Sequence, residues 1–329
     1  MGYLYCFGRY SSALFDIDRA NNKFTMATVD QYINAATRDN TRKSYQSAIE
    51  HFEVQWGGFL PATADSIARY LADYADVLAI STLKLRLAAI AQWHLDQGFP
   101  DPTKSPIVKK VMKGIQALHP SRPQQAKSLA ISQLECIDGW LTQQLEDRAN
   151  REKQLRILRD RAILLLGFWR GFRSDELSRV CVEHVELRPG EGMELYLPHT
   201  KTEYSGTTFK APALQRLCPV AACQSWLLAS GLTQGPLFPA INRWGQMGND
   251  SMHPTSFITL LRNLINMAGI ANADQFSSHS LRRGFATWAT ANGWDLKTTM
   301  EYIGWKDVRS AMRYIDTDPF SVTSPALPS

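Results

Sequence analysis

From residue 39 to residue 118 the apolar side chains recur three and four positions apart, the spacing that gathers them on one face of an α-helix. Thr28–Ala36 predicts one short helix. Asp39 or Thr41 caps a second, which runs to about Trp56 with Tyr45, Ile49, Phe52 and Trp56 in register. Pro61 and Thr63 introduce a third, with Ile67, Tyr70, Leu71 and Tyr74 on one side. Ser81 begins a fourth, carrying Leu83, Leu87, Ile90 and Trp93 as far as the Gly98-Phe99-Pro100 stop. A fifth runs from about Ser105, with Pro106 in its first turn, to Leu118. Residues 28–118 therefore predict an all-helical domain with a modest core. Residues 1–27 show no period and read as a loose arm, and the polar, proline-bearing stretch 119–127 reads as a linker.

Past the linker the pattern changes. Helices are expected at about 131–146 and 153–170, then a Gly171-Phe172-Arg173 turn and a helix from Asp175. Val185-Glu186-Leu187 precedes a Pro-Gly turn. Met193–Pro198 and Thr207–Ala211 then alternate on either side of a loop containing Gly206, a hairpin signature. From about 213 to 305 the pattern returns to helices. The fold class is mainly α: a helical first domain, then a mixed α/β domain over 128–315 with a small antiparallel sheet. Residues 316–329 form a tail, with Asp318-Pro319 as a helix start and Pro325 as its stop.

Composition narrows the function classes. No apolar run reaches the ~18–20 residues that span a bilayer, and MGYLYCFGRYSS lacks the basic start and apolar stretch of a signal peptide. A cytoplasmic location is expected, with no membrane partner. Cys6, Cys136, Cys181, Cys218 and Cys223 form neither a CxxC pair nor a metal-ligand spacing with histidine, so no metal is expected. The net charge of +5 permits a polyanionic partner. The excess sits at the front, with 15 Lys and Arg against 11 Asp and Glu in the first 127 residues and 21 against 20 beyond them.

Five separated groups could carry chemistry. In Gly171-Phe172-Arg173-Ser174-Asp175-Glu176-Leu177 an arginine opens a helix, where free N–H groups and a guanidinium fork both suit phosphate oxygens. Lys201, in Thr200-Lys201-Thr202 at the hairpin mouth, could hand a proton to a leaving oxygen, and Lys210 competes for that role. His279 and Arg282 in His279-Ser280-Leu281-Arg282 lie three apart, which puts a proton-exchanging group and a fixed cation on one helix face. Trp305 in Gly304-Trp305-Lys306-Asp307 and Tyr314 nine residues later complete the set. Taken singly, each has an ordinary reading as a surface ion pair, a cap or core packing.

Their chain order resembles that of the tyrosine recombinase, or phage integrase, family. Trp305, in place of the commoner second histidine, is similar to the Cre-type branch, and the chain as a whole resembles the Cre-like and Xer-like members. The resemblance implies a helical core-binding domain followed by a catalytic domain of tyrosine recombinase fold. It implies that Arg173 and Arg282 clamp the scissile phosphate, and that Lys201 acts as general acid on the 5′-oxygen. His279 would move protons around the nucleophile, Trp305 would donate to the phosphate, and Glu176 would support the site. Tyr314 would form the 3′-phosphotyrosyl link. No cofactor is implied.

The partners implied are double-stranded DNA with inverted-repeat core sites and three further copies of the chain, in a homotetramer exchanging strands on two sites through a Holliday junction. Integration, excision or resolution of a mobile element all use this chemistry, and a cointegrate-resolution system would add an accessory DNA-binding protein. The tail would dock on a neighbouring subunit. Arg42, Lys43, Lys84, Arg86, Lys109, Lys110 and Lys113 are the candidate phosphate contacts of the front half. Two other readings stay open: a type IB topoisomerase-like nicking-closing enzyme, and a non-catalytic DNA-binding protein of the same fold.

Overall fold

The computed structural model describes residues 31–32, 36–120, 125–146, 151–198, 206–312 and 314. The predicted arm, the Thr28–Ala36 helix for the most part, Lys201 and the tail from 316 on lie outside them. The chain divides into two compact units, Met1–Pro123 and Gln124–Ser329.

The described elements of the first unit are all helical, with α1 (Asp39–Glu50), α2 (Ala64–Asp73), α3 (Ile80–Asp96) and α4 (Pro106–Leu118) as its α-helices. A single π turn, His51–Gln55, extends α1. Thr63 caps α2 by accepting from the Ser66 N–H at 3.2 Å, and Pro106 occupies the first turn of α4. The apolar stripes meet in one core, with Phe52, Ile67, Tyr70, Leu71, Leu83 and Ile90 fully buried. Each such large side chain contributes about 1.5–3 kcal/mol by leaving water.

The second unit begins with α5 (Ile131–Glu146), α6 (Arg151–Trp169) and the short α7 (Ser174–Ser178). A three-stranded antiparallel sheet follows, β1 (Val185–Arg188), β2 (Gly192–Leu197) and β3 (Thr207–Pro212), in the order β1-β2-β3. Leu195 pairs with Phe209 and Met193 with Ala211, so the inward positions of β2 and β3 register together and are buried. Next come α8 (Pro219–Ser230), β4 (Pro239–Ile241), β5 (Met247–Ser251), α9 (Ser256–Met267), α10 (Ser278–Ala291), α11 (Leu296–Ile303) and α12 (Val308–Met312).

The hairpin β4–β5 corrects the expectation of helices alone between about 213 and 305. Its second strand reads Met-Gly-Asn-Asp-Ser, with neither alternation nor β-branched residues. The Asn242 side chain makes the turn by accepting from the Trp244 and Gln246 N–H groups, and Gly245 takes a left-handed φ of 79°. Arg159, buried in α6, donates to the Pro239 carbonyl at 3.1 Å and anchors the hairpin.

The centre of this unit is α6, an apolar helix with Ala162, Ile163, Leu164, Leu165, Leu166 and Phe168 all buried. Helix α10 packs beside it through Leu281, Phe285 and Ala286. Gly284 is what lets α10 come close: a Cβ there would collide with the Leu129 carbonyl and the Phe168 ring. Among the described residues no helix is long and apolar enough to cross a membrane.

Candidate active site

At the end of α6 the chain turns through Gly171, at φ 57°, and delivers Arg173 as the N-cap of α7. Glu176 reaches back: its carboxylate accepts from the Arg173 backbone N–H at 2.8 Å and from Arg173 Nη1 at 2.6 Å. Glu176 is 4 % exposed, so this pairing holds the arginine where the helix starts.

Helix α10 starts at a reciprocal cap, with Ser277 accepting from the His279 N–H and donating its own N–H to Ser280. His279 therefore stands in the first turn, at the positive end of a fourteen-residue helix. One turn on, Arg282 is fully buried. Its Nη1 donates to the Gly171 carbonyl at 2.6 Å and lies 3.8 Å from the Glu176 carboxylate, while Nη2 reaches the Ile303 carbonyl at 3.4 Å. One carboxylate thus faces two guanidinium groups. Burial pushes Arg282 down to about 9; the nearby Arg173 charge adds to that, and Glu176 and Tyr314 oppose it.

Helix α11 ends at Gly304, which takes the left-handed conformation while the Gly304 and Trp305 N–H groups both donate to the Met300 carbonyl. That cap folds Trp305 inward. Its ring centroid is 5.1 Å from the Arg282 guanidinium, and its buried Nε1 has no acceptor among the described residues. After α12, with Ala311 in the core, the Tyr314 N–H donates to the Ala311 carbonyl at 2.8 Å. The Tyr314 ring lies 5.1 Å from that of Trp305 and 5.9 Å from the Arg282 guanidinium. Its hydroxyl is 2.9 Å from Nδ1 of His279.

Arg173, Glu176, His279, Arg282, Trp305 and Tyr314, spread over some 140 residues, therefore meet in one place. Lys201 lies outside the described residues. Lys210, its competitor on β3, is exposed and paired with Glu194 at 2.9 Å.

Sequence reasoning missed Arg170, and of Gly171 it read only the turn. Arg170 is 3 % exposed and bonds to the Tyr302 carbonyl, and Gly171 supplies the carbonyl that holds Arg282. The signal was a lone charge closing the apolar run of α6.

In the first unit Lys43, Lys84, Lys109, Lys110 and Lys113 are exposed. Arg42 pairs with Asp39 in the first turn of α1. Arg86 is half-buried and donates to the Tyr70 hydroxyl at 2.8 Å, and that hydroxyl also bonds to His51 at 3.0 Å. Its charge thus serves the helical core as well as the surface.

Comparison with known proteins bears on this constellation. Residues 140–319 match the phage integrase family. The chain is 29 % identical over 308 residues to the integrase/recombinase xerD homolog of Selenomonas ruminantium, spanning 90 % of this chain and 87 % of that protein. It is 25 % identical over 270 residues to the recombinase cre of Escherichia phage P1, spanning 78 % and 77 %. Among solved structures, the XerH site-specific recombinase bound to a palindromic difH substrate superposes with a TM-score of 0.58 at 17 % identity, over 83 % of this chain and 75 % of that one. With the family match covering more than half its length, this chain belongs to the phage integrase family and is a DNA breaking-rejoining enzyme, a tyrosine recombinase.

Proposed function

We propose that this protein is a site-specific recombinase that cleaves duplex DNA with Tyr314 and rejoins it to a second duplex. The observation that carries the reading is the 2.9 Å contact between the Tyr314 hydroxyl and His279, beside the buried Arg282 and the partly exposed Arg173, in a single chain. An unperturbed phenol titrates near 10, so it needs help to attack at neutral pH. His279 accepts the phenolic proton as the oxygen attacks phosphorus. The P–O5′ bond breaks, leaving a 3′-phosphotyrosyl link and a 5′-oxygen that takes a proton from Lys201. Arg173 and Arg282 hold the non-bridging oxygens as their charge grows, with Trp305 Nε1 as a further donor. Attack by a 5′-hydroxyl of the partner duplex reverses the chemistry, so the phosphodiester energy is conserved and no cofactor is consumed. Two rounds pass through a Holliday junction.

Such exchange involves four copies of the chain on two inverted-repeat sites. The exposed lysines 43, 84, 109, 110 and 113, with Arg42, suit the backbone of the DNA arms. Because Tyr314 meets its own chain's His279, each copy cleaves with its own nucleophile. Movement of a mobile element is the role this chemistry fits.

A nicked duplex drawn from the DNA flanking the gene tests the reading, since a nick beside the cleavage site lets the freed strand diffuse away. The native protein accumulates a covalent adduct, and Tyr314→Phe binds the duplex but forms none. An adduct formed equally by Tyr314→Phe would refute the assignment. Relaxation of supercoiled DNA without strand exchange would favour the nicking-closing alternative.

A further inference from the structure

Arg170 is a cation the chemistry above does not use. It follows Trp169 at the end of α6 and is 3 % exposed. Its guanidinium carbon lies 3.9 Å from the Tyr302 ring centroid and 5.2 Å from that of Phe209. It donates to the Tyr302 carbonyl, and its buried Nε finds no acceptor among the described residues. Burying an arginine with one donor unmatched is costly, and an apolar side chain of similar volume would fill the same space without that cost.

What the guanidinium does there is specific. Tyr302 and Ile303 close α11, and their carbonyls are among those a helix leaves unpaired at its C-terminus. Arg170 takes the Tyr302 carbonyl and Arg282 takes the Ile303 carbonyl. Gly171, which follows Arg170 at a left-handed φ of 57°, lies against the Ile303 and Arg282 side chains. Two cations at a helix C-terminus also oppose its partial negative charge. Two residues beyond the clasp is Trp305, and against Trp305 lies Tyr314.

We propose that Arg170 is a positioning residue for strand cleavage: stacked on Tyr302 and bonded to its carbonyl, it fixes the end of α11 and so sets Trp305, and through it Tyr314, at the phosphate. The proposal rests on the recombinase reading above. Arg170 touches no reacting atom and acts through Trp305.

The test is a double-mutant cycle on the nicked duplex, read as the single-turnover rate of adduct formation with DNA affinity measured alongside. Arg170→Met keeps the apolar bulk and removes the carbonyl bond. We expect it to slow adduct formation by roughly 10–100-fold, the loss typical of a reacting group displaced by about 1 Å, with affinity changed less than about threefold. Arg170→Lys, which keeps a cation able to reach the carbonyl, should recover at least half of that loss on a logarithmic scale. In a Trp305→Ala background, which removes both the donor and the ring against Tyr314, the same Arg170→Met change should cost under about threefold, because the side chain it acts through is gone. Equal losses in both backgrounds would mean a general packing role, and native rates in Arg170→Met would mean none; either overturns the proposal. If Arg170→Met does not fold, the cycle is run with Arg170→Leu, which likewise lacks a donor, and judged by the same inequality. Absence of any adduct with the native protein would instead sink the recombinase reading itself.

Discussion

Replacing Glu176 by alanine isolates the electrostatic role of the carboxylate shared by Arg173 and Arg282. In the folded protein this group is 5 % exposed by side chain and faces Arg173 at 2.6 Å and Arg282 at 3.8 Å. Alanine leaves Arg282, 1 % exposed by side chain, beside a like charge and with no other carboxylate paired to it among the described residues. Removing one partner of a buried ion pair costs about 3–5 kcal/mol. Arg173 is 23 % exposed and can turn towards water, so the lower end applies, about 3 kcal/mol. For a unit of about 200 residues each kcal/mol moves the midpoint by about 2–4 °C, giving a fall of roughly 6–12 °C. Glu176→Gln, which keeps the volume and an acceptor, should fall about half as far. Differential scanning calorimetry in sodium chloride measures this. In sodium sulfate at equal ionic strength, a doubly charged oxyanion supplies what the carboxylate did, and the gap between native protein and variant should narrow. A Glu176→Ala protein melting within about 2 °C of the native one, or a gap unchanged by sulfate, refutes the view that Glu176 neutralises the arginine pair.

Other outcomes follow from the same geometry. Arg173→Ala and Arg282→Ala should each slow adduct formation by the ~2.7–4 kcal/mol typical of losing a preorganised donor, about 10²–10³-fold, while gel-shift affinity is kept. Adduct formation by the free enzyme should decline towards alkaline pH, because burial weakens the hold of Arg282 on its proton. Folding stability should gain from this group over the same rise, because the unfolded chain, whose arginine keeps its water, holds that proton to higher pH than the folded one. Denaturant midpoints and single-turnover rates on one pH series separate the two signs. Gly284→Ala should destabilise the second unit by about 1–3 kcal/mol, measured in urea, although alanine favours a helix, because its methyl meets the Leu129 carbonyl.

Much of this molecule was legible in its sequence because the signals were local. A helix needs only a period of 3.6 and a cap, so Thr63, Pro106 and the Ile67, Tyr70, Leu71 stripe announced α2 and α4 before any packing was known. The pairing of β2 with β3 was equally plain from two alternating runs about Gly206. The hairpin β4–β5 was not, since its strands hold together through Asn242, Gly245 and a buried Arg159 rather than through any apolar alternation.

The active-site residues were named from their order along the chain, but order says nothing of distance. Only the packing of α6, α7, α10 and α11 decides that Glu176 is shared by two guanidinium groups and that the Tyr314 hydroxyl stands 2.9 Å from His279. Arg170 shows the difference most clearly. In the sequence it is a charge at a helix end, as common as any. In the fold it is buried on Tyr302, because the carbonyl it serves lies 132 residues away and comes within reach only when the core closes. Local periodicity determines which elements form; which side chains lose their water, and whose charge they then meet, depends on contacts no window of sequence contains.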